Sequence, residues 1–190
     1  MILLRYNTPL SWIETVLANF DSFLLDHAAA EKKASGMAIS LLSHYPDKSD
    51  LVKAMVDLAV EELTHFRDVI RLTQQRGLQL QNDQKDLYVN QLRKCMRPES
   101  DEYFLDRLLT AGIIEARGCE RFGLVAEHVQ DIQLKKFYTA ISKSEARHHQ
   151  LFVDLAKQYF NETVIDARLN QLLDDEARIT ADLPIRAALH

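Results

Sequence analysis

The sequence predicts an all-α protein built on a four-helix bundle, with a short helix before it and an additional helix after it. Three observations carry this. Only five Gly and four Pro occur in 190 residues, too few for a turn-rich β fold. Four long segments place apolar residues at three- and four-residue steps, and nothing alternates convincingly with period two. Helices of this length would each be about 40 Å long at about 1.5 Å per residue, which suits a bundle.

The elements follow in order. "SWIETVLAN" (11–19) is a short helical lead-in. "DSFLLDHAAAEKKASGMAISLLSHY" (21–45) is rich in Ala and Leu and is stopped by Pro46. The third segment, 48–77, takes Ser49 or Asp50 as its expected N-cap and Gly77 as its stop. Residues 78–97 are irregular, with a short helix expected around 85–94. Pro98, Glu99 and Ser100 open the segment 99–129, and 131–160 is the fourth long helix. Asn161 is expected to cap a last helix running to about 181, before Pro184. The chain reads as one domain, 1–190.

Composition excludes several classes. The chain is 47% hydrophobic and 27% charged, which suits a soluble globule. No apolar run is long enough to span a membrane, and "MILLRYNTPLSW" lacks the features of a signal peptide. Cys95 and Cys119 form no disulfide or metal framework, so a reducing cytoplasm is the expected location. The net charge of −5 means that any nucleic-acid contact must use a local patch.

The chemistry lies in a repeat. "EELTHF" places Glu62 and His65 three apart, on one helix face. "SEARHHQLF" repeats the spacing with Glu145 and His148. The other two long helices each carry an acid inside an apolar run, Glu31 and Glu115. Glu31 precedes Glu62 by 31 positions and Glu115 precedes Glu145 by 30, so the acids fall at nearly the same depth in two helical hairpins. This is the pattern of a carboxylate-bridged two-metal site in a bundle. Four buried glutamates without a counter-charge would be costly or would protonate. Two divalent irons neutralise four carboxylates. Oxygen and imidazole donors suit iron or manganese, and zinc favours fewer carboxylates.

The remaining residues are assigned other roles. His27, His44, His128, His149 and His190 are read as surface residues or as supports behind the ligands. Glu61 is a candidate acceptor for the free ring N–H of a ligand histidine on the opposite helix. Glu120 is expected to form ion pairs with Arg117 and Arg121, and Cys119 to line a pocket. Small residues flank both single glutamates: Ala28, Ala34 and Ser35 around Glu31, and Ala111, Gly112 and Gly118 around Glu115. They would either open the site for dioxygen and substrate or let helices pack closely.

"DHAAAEKKASGMAISLL", "EELTHF", "EARGCERF" and "SEARHHQLF" together resemble the MiaE family, tRNA 2-methylthio-N6-isopentenyladenosine hydroxylases. The resemblance spans about residues 5 to 180. It implies a ferritin-like nonheme diiron monooxygenase that hydroxylates the isopentenyl group of a modified adenosine beside the anticodon. It implies two irons, dioxygen, and two electrons from an external reductase. By position, the family's iron ligands fall on Glu31, Glu62, His65, Glu115, Glu145 and His148. The alternative is a ferritin-like ferroxidase, iron-storage or peroxide-reducing protein. A peroxidase of this kind usually carries an added Cys-x-x-Cys module, and this sequence has none. For tRNA, the densest basic stretch is "LRKCMR", with Arg93, Lys94 and Arg97. Lys85 is nearby, and Tyr88 could stack on a base. The same stretch also reads as an ordinary solvated connector. Lys32 and Lys33 are the second candidates for an RNA surface.

Overall fold

A computed structural model describes residues 3–190. Among these residues the chain forms seven helices and no strand. They are α1 (Leu10–Ala18), α2 (Phe20–His44), α3 (Ser49–Gln75), α4 (Leu87–Lys94), α5 (Ser100–His128), α6 (Ile132–Tyr159) and α7 (Glu162–Asp182). The chain divides into two compact units. One comprises Thr15–Gln84 and Arg186–Leu189; the other comprises the residues up to Glu14, Lys85–Ile185 and His190.

The first unit is the α2/α3 hairpin. α2 buries Phe23, Leu24, Ala28, Ala38 and Leu41 at helical spacing, and α3 buries Leu51, Met55, Leu58 and Val69. Removing such stripes from water is the main stabilising contribution. The Ser35 hydroxyl donates to the Ala59 carbonyl at 2.9 Å, joining the two helices at a small-residue position. Past the end of α3, Gly77 has a positive φ of 72° and turns the chain, and the Leu78 N–H returns to the Thr73 carbonyl at 2.9 Å. The expected caps Ser49 and Asp50 lie inside α3. The N-cap position is Lys48, which makes no side-chain cap bond. The following strap is tied back to α2: Lys32 Nζ pairs with Asp83 at 2.8 Å, and Lys33 Nζ donates to the Gln84 carbonyl at 2.9 Å.

In the second unit, α5 and α6 form a hairpin, and α7 packs on α4, α5 and α6. Asp131 caps α6, accepting from the N–H groups of Gln133 and Leu134 at 2.7 and 3.0 Å. Asn161 caps α7 and Asp86 caps α4 in the same way. α5 is the most thoroughly buried helix of this unit, and two of its buried charges, Arg117 and Asp106, are paired within the unit. Arg117 donates through Nε and Nη2 to Glu176 at 2.9 and 2.7 Å, and through Nη1 to Glu120. Asp106 receives Arg168 on both oxygens at 2.9 and 2.8 Å, and Arg97 Nη2 at 2.7 Å.

A candidate metal centre in two halves

Each hairpin presents two glutamates and one histidine on its buried face. In the α2/α3 hairpin, Glu31, Glu62 and His65 each offer a ligand atom, all within 4.8 Å of one another. His65 Nδ1 lies 3.4 Å from Glu62 Oε2 and 3.7 Å from Glu31 Oε2. In the α5/α6 hairpin, Glu115, Glu145 and His148 form the corresponding group, again within 4.8 Å. His148 Nδ1 lies 3.4 Å from Glu145 Oε2, the same distance as in the first hairpin. The three-residue spacing on a rigid helix sets that distance, so the sequence repeat reappears as a geometric one.

Electrostatics in the first half are dominated by carboxylate–imidazole contacts. Burial pushes the Glu31 carboxyl up, but hydrogen bonds from His27 and His65 hold it well below the usual carboxylate range. Burial depresses His65, yet Glu31 and Glu62 outweigh it and raise the ring from 6.5 to about 9. Two acids and an imidazole at this separation attract any cation. In the metal-free chain the cation is a proton. The donors are carboxylate oxygen and imidazole nitrogen, without thiolate, which suits iron or manganese. Cys119 Sγ instead donates to the Ser142 carbonyl at 3.3 Å, bridging α5 to α6.

Several expected roles change. His27 is fully buried, and its Nε2 lies 2.6 Å from Glu31 Oε1. Of the two roles expected for it, the structure places it behind Glu31, four residues before it on the same helix. His149 is also buried, not a surface residue, and burial lowers its pKa. Glu61 approaches His65 of its own helix, at 4.0 Å from Nε2. Glu120 pairs with Arg117 as expected and also accepts from the Thr8 N–H and hydroxyl at 2.8 and 2.7 Å, while Arg121 sits over the Trp12 ring.

The basic connector is corrected in part. Tyr88 cannot stack on a base. It is buried, stacks on His190 at 4.8 Å and donates its hydroxyl to Glu176 at 3.1 Å. Arg97 is committed to Asp106 and Glu102. Lys85, Arg93 and Lys94 remain exposed. Lys32 and Lys33 hold the strap after α3. Among the described residues no helix is long and apolar enough to cross a membrane.

A family model described as tRNA-(MS[2]IO[6]A)-hydroxylase (MiaE) matches residues 1–190. A Pseudomonas putida protein named tRNA 2-(methylsulfanyl)-N(6)-isopentenyladenosine(37) hydroxylase is 37% identical over 187 residues, covering 93% of this chain and 91% of that protein. A Salmonella typhimurium protein of the same name is 34% identical over 152 residues. The match covers 80% of this chain but only 55% of the Salmonella protein. Among solved structures, a Synechococcus protein described as having aldehyde deformylating oxygenase activity is 35% identical, with a TM-score of 0.94 over 98% of this chain and 94% of that one. The fold class is thus the all-α class expected from the helical periodicity, and the ferritin-like one that the family resemblance implied. With the model matched over residues 1–190 and two relatives above a third identical, the chain belongs to the MiaE family.

Proposed function

We infer that this chain is a tRNA-modifying hydroxylase. Its substrate is the 2-methylthio-N6-isopentenyladenosine beside the anticodon, and its six Glu/His residues hold two irons. The observation that carries the metal reading is the repeated trio of two buried carboxylates and one imidazole in a chain of this family. Family membership favours this over the iron-storage and peroxide-reducing alternatives.

Glu31, Glu62 and His65 supply one half of the ligand set, and Glu115, Glu145 and His148 the other. Four carboxylates offset the charge of two divalent ions, which makes burial of the acids tolerable. His65 binds a metal only as the neutral ring, so it releases its proton on loading. When bound, the iron pair supplies dioxygen activation, with two electrons from a donor outside this chain. The helices would keep bulk water from the ligands, since Glu31, Glu62, Glu115, Glu145 and His148 are buried. The apolar isopentenyl group is the part of the nucleoside suited to such an interior. A cytoplasmic location fits a tRNA substrate.

Mass analysis of tRNA nucleosides from cells with and without the gene tests this. The hydroxylated nucleoside should disappear with the gene and its unhydroxylated precursor accumulate. Unchanged nucleosides, or many irons per purified chain where about two are expected, would overturn it.

A further inference from the structure

The two hairpins repeat Glu and then Glu-x-x-His, but the residue one turn before the first Glu does not repeat. One turn before Glu31 stands His27, with no solvent exposure and its ring nitrogen 2.6 Å from Glu31 Oε1. One turn before Glu115 stands Ala111, also buried, whose methyl group can donate nothing. We propose that His27 is a positioning residue for the metal centre: it fixes Oε1 of Glu31 and so aims Oε2 at the ion held with Glu62 and His65.

The inference rests on the reading of these residues as iron ligands. The terminal torsion of a glutamate is soft, so a lone carboxylate turns freely between binding modes. A hydrogen bond from a neighbouring ring removes that freedom. The oxygen that His27 holds is Oε1, whereas the oxygen facing His65 is Oε2, 3.7 Å from Nδ1. The two oxygens of Glu31 therefore have separate tasks. The ring is itself held in place: it is four residues from Glu31 on the same helix and packs on Phe23, with ring centroids 6.1 Å apart. Outer partners of metal ligands typically change metal affinity by about 10–100-fold when removed. The effect should fall on the ion nearest Glu31, because His27 acts through that carboxylate.

The test is an anaerobic titration of the metal-free protein with cobalt(II), followed by its d–d absorption. The wild type should bind two ions per chain. In His27→Leu, one binding step should weaken by about 10–100-fold and its absorption band change, while the other step holds. His27→Gln keeps an N–H donor and should recover most of the lost affinity. His27→Met fills the space without a donor and serves if the leucine variant does not fold. Unchanged binding in the donor-free variants overturns the proposal. So does equal weakening of both steps without rescue by glutamine, since that marks a general packing effect. A wild type that binds fewer than two ions overturns the diiron reading itself, and this inference with it, before any substitution is compared.

Discussion

Asp106 and Glu176 are as deeply buried as Glu31 and Glu62, yet their surroundings differ. Asp106 lies between two guanidinium groups, those of Arg97 and Arg168, and Glu176 accepts from Arg117, Tyr88 and Thr180. Each is compensated by permanent donors of its own unit. Glu31 and Glu62 face a histidine whose charge depends on a proton. The difference separates two uses of a buried acid. One with an arginine partner belongs to the fold. One that faces carboxylate and imidazole serves, in the proposed function, a metal ion.

The largest effect should come from breaking the permanent kind. Asp106→Ala leaves Arg97 and Arg168 without their shared acceptor and should cost roughly 3–5 kcal/mol of stability. Denaturant unfolding measures it. A loss below about 1 kcal/mol would show that the arginines find other partners.

Metal comes next. Iron bound only by the folded state should raise Tm, by the equivalent of about 2.7 kcal/mol per site at a hundredfold excess over Kd. An iron-independent Tm at neutral pH would remove the contrast between the two kinds of acid.

The pH dependence of the metal-free protein should divide in the same way. His65 is raised from 6.5 to about 9, so its contribution is fully present below about 6.5 and is lost as pH rises through about 9. Asp106 lies below its ordinary 3.8, because its hydrogen bonds from Arg168 and Arg97 overcome the upward push of burial. Its contribution is present above 3.8 and is lost as pH falls through the lower folded value. Thermal melts against pH should show both flanks. His65→Gln should abolish only the alkaline one, and its persistence in that variant would assign it to another group.

The smallest effect concerns tRNA. With Tyr88 and Arg97 committed to the fold, the exposed cations of the connector are Lys85, Arg93 and Lys94. If they meet phosphates, changing Arg93 and Lys94 to Ala should reduce the salt slope of tRNA binding by roughly 2. Iron content should not change. An unchanged slope would leave the connector as a linker.

The helices and the clustering of glutamate with histidine were legible in the sequence because both are periodic. The 3.6-residue repeat sets the apolar stripes, and Glu-x-x-His puts donors on one face wherever it occurs. Asn161 as a cap and Gly77 as a stop were readable from local chemistry, and so was Pro46 as a breaker. What could not be read depends on contacts distant in the chain. Tyr88 looks like an exposed aromatic in a basic loop until Glu176, 88 residues away, accepts its hydroxyl. Arg97 looks like a phosphate contact until Asp106, which also holds Arg168, takes its guanidinium. Ser49 and Asp50 missed the cap because α3 begins at Ser49 itself, with Lys48 in the cap position.

Iron content and metal-free Tm, measured side by side on Glu115→Gln and Glu176→Gln, test the distinction most directly. Glu115→Gln should lose iron while its metal-free Tm holds or rises, since a repelling charge is gone. Glu176→Gln should keep two irons and melt lower, since Arg117 loses its buried counter-charge. Full iron in Glu115→Gln, or iron lost from Glu176→Gln with Tm unchanged, would contradict the distinction between the two kinds of buried acid.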